Sequence, residues 1–270
     1  MTNKLEHLLR EKAGGGPLYM CHLISGYPTA HASEDVARGL IEGGADILEI
    51  QVPFSDPMAD GPAISVASRE ALEAGASVKK SLALAKKMSK STVPVVMMSY
   101  LNPVYRYGIA AFVRDAAKAG VTGFIIPDAP LDSKEGVEIA AEAKKNGICV
   151  IPVISPGVPR ERLQKIAKDA SGFVYCTTRQ GITGANSKFV SDLQSYMKSV
   201  REELPIPLGL GFGIKTRADA KRAGELADIV IAGSVFVHAI KASKKGGIKK
   251  AVARTMHELS GNLSSRRLKK

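Results

Sequence analysis

From residue 18 onward, apolar β-branched runs alternate with amphipathic stretches. The runs at 18–25, 45–52, 93–100, 123–127, 148–154, 172–177, 206–211 and 228–232 predict eight strands. Several are nearly all apolar, as expected of strands covered on both faces of a parallel sheet. Between them, residues 33–42, 77–89, 109–119, 133–145, 159–168, 188–203 and 216–224 carry helical spacing. Their starts hold polar caps, with Ser33 the candidate for the first, and their ends hold glycine or a basic residue. Residues 1–13 predict an extra amphipathic helix at the bottom of the fold, and 248–259 a helix covering it.

Eight strands alternating with helices imply parallel βαβ units. No linker interrupts them, and the first turn, Gly26-Tyr27-Pro28-Thr29, lacks the GxGxxG of an open dinucleotide-binding sheet. The expectation is therefore α/β: one (β/α)8 TIM-barrel domain over residues 1–270 with an extra N-terminal helix and a basic tail near 260–270. Such barrels typically need about 250 residues.

Composition narrows the function classes. With 45% hydrophobic and 24% charged residues the chain is globular, not disordered or collagen-like. No run approaches the roughly 18 apolar residues of a membrane span. The first residues lack the apolar core of a secretory signal. Cys21, Cys149 and Cys176 lie far apart in apolar runs and read as free thiols, which points to a cytoplasmic protein. The net charge of +12 suggests nucleic acid, but nine of those charges fall in residues 238–270, where ten Lys and Arg face one acid, Glu258. That is the pattern of a solvated basic terminus. An aromatic content of 5% with no Trp also argues against a base-stacking surface.

Active sites of such barrels lie at the carboxyl ends of the strands. On the second strand Ile47, Glu49 and Gln51 share one face and Leu48, Ile50 and Val52 the other. If the apolar set meets the helices, Glu49 points inside the barrel. Desolvation there raises a carboxyl pKa and suits general acid–base work near neutral pH. The Pro- and Gly-rich stretch that follows carries Asp56 and Asp60 and is long for a βα loop. Tyr100-Leu101-Asn102-Pro103 and Pro127-Asp128-Ala129-Pro130 place polar groups on the same rim. Glycines after the seventh and eighth strands, at Gly211-Phe212-Gly213 and at Gly233-Ser234, where a further helix is expected to start, sit where barrels of this kind recurrently hold phosphate. No strand lysine offers a Schiff base and no histidine–carboxylate spacing reads as a metal site.

These segments resemble the tryptophan synthase alpha subunit family. The run Leu48-Glu49-Ile50-Gln51-Val52-Pro53-Phe54-Ser55-Asp56-Pro57-Met58-Ala59-Asp60-Gly61-Pro62 is similar to that family's signature, and the likeness continues through Gly26-Tyr27-Pro28, Arg179-Gln180-Gly181-Ile182-Thr183-Gly184 and Gly233-Ser234. The resemblance implies a lyase that cleaves indole-3-glycerol phosphate to indole and glyceraldehyde 3-phosphate. It implies Glu49 as acid/base and Asp60 as acceptor of the indole N–H. It implies an indole pocket of His22, Tyr100, Ile125, Val153, Tyr175, Phe212 and Ile231, a phosphate site at Gly184, Gly213, Gly233 and Ser234, and loop closure by Thr183. No metal or cofactor is implied for this chain. The implied partner is a beta subunit carrying pyridoxal phosphate, in an alpha2beta2 assembly, with no nucleic acid or membrane. Two positions depart from the family pattern: Gln51 stands where glycine is usual, and His22 where phenylalanine is usual. They motivate an alternative, a non-catalytic alpha-like subunit that only activates a beta partner. They also predict that His22 and Gln51, on adjacent strands, lie within side-chain reach.

Overall fold

The computed structural model describes residues 3–178, 193–211, 213–244 and 246–261. Nine parallel strands form one sheet in the order β5-β4-β3-β2-β1-β9-β8-β7-β6. They are β1 (Leu18–Ile24), β2 (Ile47–Gln51), β3 (Val95–Met98), β4 (Val121–Ile125), β5 (Cys149–Val150), β6 (Val153–Ile154), β7 (Val174–Thr177), β8 (Leu208–Gly211) and β9 (Ile229–Ala232). The two strands at the ends of that order, β5 and β6, are consecutive in sequence and separated only by Ile151 and Pro152. Ile151 N–H donates to Phe124 on one side, and Pro152 C=O accepts from Tyr175 N–H on the other. The sheet thus closes on itself, and the expected eight-stranded barrel is present. Its fifth strand, expected as a single run over 148–154, is split where Pro152 has no N–H to give the ladder.

Twelve helices are described: α1 (Lys4–Glu11), α2 (Ala30–Glu42), α3 (Pro62–Glu73), α4 (Val78–Met88), α5 (Leu101–Tyr107), α6 (Ile109–Lys118), α7 (Lys134–Lys145), α8 (Arg160–Ala167), α9 (Leu193–Glu203), α10 (Arg217–Gly224), α11 (Ser234–Ala242) and α12 (Ile248–Ser260). Two were not expected. The long segment after β2 turns helical at Pro62, whose ring suits a first helical position. Residues after β3 form α5, whose first N–H is taken by Asp128 Oδ1 at 2.8 Å. The cap of α2 is also corrected. Thr29 accepts from Ala32 N–H, whereas Ser33 lies inside the helix with its hydroxyl on Ala30 C=O. The start of the helix expected over 188–203 lies outside the described residues.

Two apolar layers follow from strand alternation. Leu48, Ile50, Val95, Met97, Phe124, Val174, Leu208, Leu210 and Val230 face the helices. Met20, Ile47, Val96, Met98, Ile125, Ile151, Phe173, Ile229 and Ile231 fill the interior together with Leu5 and Leu9 of α1. Helix α1 therefore plugs the amino end of the barrel. Asn3 fixes it from both sides: Oδ1 accepts from Leu5 N–H, and Nδ2 donates to Thr122 and Gly147 carbonyls, each at 2.8 Å. The basic segment near the C-terminus is partly helix: α12 lies on α2, where a side chain at Gly39 would collide with Val252 and the Lys249 carbonyl.

Candidate active site

Strands β1 and β2 pair with His22 opposite Glu49 and Ile24 opposite Gln51. Glu49 is 4% exposed and Gln51 is fully buried; Ile47 packs in the interior layer and Leu48 and Ile50 in the outer one, so Glu49 and Gln51 lie on the inward face of β2. Burial pushes the Glu49 carboxyl up to about 8, and the charge of Asp60 adds to the rise. Asp60 stands at the end of the loop between β2 and α3. Burial lifts it to about 6, against hydrogen bonds from Gln51 and Tyr100 that favour its charged form. At neutral pH Glu49 is therefore mainly a proton donor and Asp60 mainly an acceptor.

The loop that carries Asp60 is tied down at several points. Ser68 on α3 donates to the Phe54 carbonyl and accepts from the Phe54 N–H. Tyr100, at the end of β3, accepts from Ala59 N–H at 3.0 Å, and its ring stacks at a tilt on Phe54, with centroids 5.4 Å apart. Asp56 is exposed and, among the described residues, accepts only from the hydroxyl of its neighbour Ser55, in keeping with a turn former. Asp128 serves as the cap of α5.

The pocket residues expected from the sequence gather on the same interior. Tyr100, Ile125 and Ile231 belong to the interior cluster, with Val153 and Tyr175 packed against it. Tyr175 lies over β8: a side chain at Gly211 would overlap its hydroxyl. Burial, then the charges of Glu49 and Asp60, raise the Tyr175 phenol well above its ordinary value. On the far rim Gly213 has φ +29°, and Gly233 caps α11 without a side-chain bond, leaving Ser234 at the helix start. Phe212, Thr183 and Gly184 lie outside the described residues.

The contact expected between His22 and Gln51 is present, with Nε2 and Oε1 2.6 Å apart. The sequence reading did not extend it to Asp60. Gln51 Nε2 donates to Asp60 Oδ2, also at 2.6 Å. The signal for this bond was the nine-residue spacing across a loop, which has no periodicity to reveal it.

Comparison with known proteins agrees with this arrangement. The family model for the tryptophan synthase alpha chain matches residues 9–265. The chain belongs to the tryptophan synthase alpha chain family. A tryptophan synthase alpha chain of Syntrophotalea carbinolica is 37% identical over 246 residues, covering 90% of this chain and 95% of that relative. One from Methanosarcina barkeri is 39% identical over 259 residues, with 90% and 95% covered. Among solved structures, a Mycobacterium tuberculosis tryptophan synthase superposes with a TM-score of 0.86 at 32% identity, over 97% of this chain and 98% of that one. The tryptophan synthase alpha subunit of Legionella pneumophila gives 0.86 at 27% identity, over 96% and 97%. Membership in the tryptophan synthase alpha chain family makes this protein a lyase of tryptophan biosynthesis. Among the described residues, no helix is long and apolar enough to cross a membrane, and no cluster of three or more His, Cys, Asp or Glu could hold a metal ion.

Proposed function

We propose that this chain cleaves indole-3-glycerol phosphate by a retro-aldol reaction to indole and glyceraldehyde 3-phosphate. The observation that carries the reading is the pairing of a buried carboxyl near 8 with a half-buried one near 6 on one wall of the barrel. Glu49, protonated at neutral pH, delivers its proton to C3 of the indole ring. Asp60, ionised, accepts the indole N–H and stabilises the positive charge that the ring gains. Glu49, now a carboxylate, takes the proton of the glycerol hydroxyl next to the scissile bond. That bond breaks, its electron pair returns to the ring, and the hydroxyl carbon leaves as the aldehyde. The net result is transfer of one proton from the hydroxyl to C3, with no oxidant or reductant.

Backbone N–H groups of Gly184, Gly213, Gly233 and Ser234 hold the phosphate, the last two at the start of α11 where the helix dipole favours an anion. His22, Tyr100, Ile125, Val153, Tyr175, Phe212 and Ile231 enclose the indole, and Thr183 helps to close the site. The partner is a beta subunit that carries pyridoxal phosphate and receives the indole, in an alpha2beta2 assembly in the cytoplasm. This chain itself works without a cofactor.

Indole release from indole-3-glycerol phosphate, measured with and without a beta subunit, tests the reading. Glu49→Gln keeps the size of the side chain and removes its titration, and is expected to lower the rate about 10²–10⁴-fold. A variant that keeps more than half the activity would overturn the role of Glu49. A wild-type chain that raises beta-subunit activity yet releases no indole of its own would favour a binding-only alpha subunit instead. That second reading draws on the polar His22–Gln51 pair beside Asp60.

A further inference from the structure

The polar chain behind Asp60 has no part in the reaction as written. Gln51 is fully buried at the last residue of β2, and both ends of its amide are bonded at 2.6 Å. An ionised carboxylate can only accept, so the amide nitrogen faces Asp60 Oδ2 and the amide oxygen faces His22. An amide oxygen also only accepts, so His22 Nε2 is the donor. His22 Nδ1 then carries a lone pair. It is buried without a hydrogen-bond partner among the described residues, and lies 3.3 Å from where a Cβ on Gly233 would stand. A second proton on this ring would be stranded there, which agrees with burial lowering His22 to about 4.

We propose that Gln51 and His22 are positioning residues for Asp60: Gln51 holds the Asp60 carboxylate in one orientation, and His22 fixes the way the Gln51 amide points. The catalytic meaning of this chain rests on the reading of Asp60 as acceptor of a substrate N–H. The hydrogen-bonded chain itself does not. The bond from Gln51 also favours the ionised form of Asp60 against the desolvation that raises it. The other titratable groups around Asp60 are Glu49 on β2, Tyr100 after β3 and Tyr175 on β7. Among the described residues, Tyr100 alone shares with Gln51 the role of donor to it. His22 reaches Asp60 solely through Gln51, so its effect on the Asp60 titration should vanish when Gln51 cannot transmit it.

The test is a carboxyl-carbon NMR titration of Asp60 in the full chain labelled at aspartate, with Asp60→Asn to assign the signal. Gln51→Met keeps the length of the side chain and loses both bonds. The Asp60 midpoint is expected to rise by about one to two pH units, a 10- to 100-fold change in its protonation constant. His22→Phe leaves Gln51 in place and should raise the midpoint by less, which keeps the test alive if Gln51→Met folds poorly. The double variant should match Gln51→Met alone. In the lyase assay, the acid limb of the pH–rate profile should move up in step with the Asp60 midpoint. An unmoved midpoint in Gln51→Met, or a His22→Phe effect equally large without Gln51, would overturn the proposal whatever the activity. A wild-type chain that releases no indole would overturn the proposed reaction while leaving the titration to decide the hydrogen-bonded chain.

Discussion

Glu49 should make the protein less stable as the solution becomes more alkaline, and Glu49→Gln should remove that dependence. The unfolded chain titrates this carboxyl at about 4.5 and the fold at about 8. Between those values the folded state holds a proton that the unfolded state has released, so rising pH favours unfolding. Below 4.5 the group is neutral in both states and contributes nothing. Above 8 it is charged in both, and the full penalty for a buried charge applies, about 5 kcal/mol at about 1.4 kcal/mol per pH unit of displacement. Between about pH 5 and about pH 8.5 the loss from this group alone comes to about 4 kcal/mol.

Urea unfolding followed by far-ultraviolet circular dichroism measures it, since the chain has no Trp to report by fluorescence. The useful quantity is the stability of Glu49→Gln minus that of the wild type at each pH. Asp60, raised from 3.8 to about 6, has the same sign of dependence, and His22, lowered from 6.5 to about 4, has the opposite sign. Both remain in the variant and largely cancel in the difference. An amide at position 49 brings its own desolvation cost, but that cost does not vary with pH. The difference should therefore grow by about 4 kcal/mol over this window. Two stability curves running parallel from acid to alkaline pH would refute the raised titration of Glu49, and with it the reading of Glu49 as the proton donor at neutral pH.

Two other substitutions test how the fold positions this site. Leu5→Ala empties the end of the plug helix, where Leu5 is fully buried, and should cost about 2–5 kcal/mol in the same unfolding assay; a loss under about 1 kcal/mol would show that α1 does not close the barrel. Gly209→Ala adds a methyl 3.0 Å from Ile231 Cδ1 and the Phe173 ring, and should destabilise by about 1–3 kcal/mol through overpacking; an unchanged midpoint would mean that the interior at β8 is looser than the geometry indicates.

The strands were legible because burial on both faces leaves apolar runs, and alternation on β2 alone puts Glu49 and Gln51 inside. What escaped was set by contacts distant in sequence or by the special chemistry of proline. Pro62 read as part of a loop, yet a proline at a first helical position starts α3 without losing a bond. Pro152 sits in an apolar run and looked like strand interior, but its missing N–H divides β5 from β6. Ser33 had the right chemistry for a cap, and Thr29 was simply nearer the true start. Strict alternation along β1 would put Ile24 inside with Met20 and His22, yet it packs in the outer layer. At the site, the pairing of His22 with Gln51 followed from strand adjacency, whereas the bond from Gln51 to Asp60 depends on how the chain returns after a spacing of nine residues.

The barrel wall is chemically lopsided, and the lopsidedness explains why its carboxyls titrate as they do. Strands β1 and β2 supply His22, Glu49 and Gln51, and the following loop adds Asp60. The inward positions of β3 to β9 supply chiefly Val96, Met98, Ile125, Val153, Tyr175 and Ile231, with glycines at 209 and 211 on β8. Among the described residues, a charge on Glu49 therefore looks across the barrel at hydrocarbon and aromatic rings, with no cation to answer it. On the near side Gln51, held by His22, is a neutral donor to Asp60, and among the described residues neither side chain bonds Glu49. The same apolar environment thus acts unequally on the two acids: Asp60 is partly rescued by hydrogen bonds and stays near 6, while desolvation and the Asp60 charge carry Glu49 to about 8. A neutral donor chain separates the two acids without introducing a positive charge, which would have pulled both down together and left neither able to give up a proton at neutral pH.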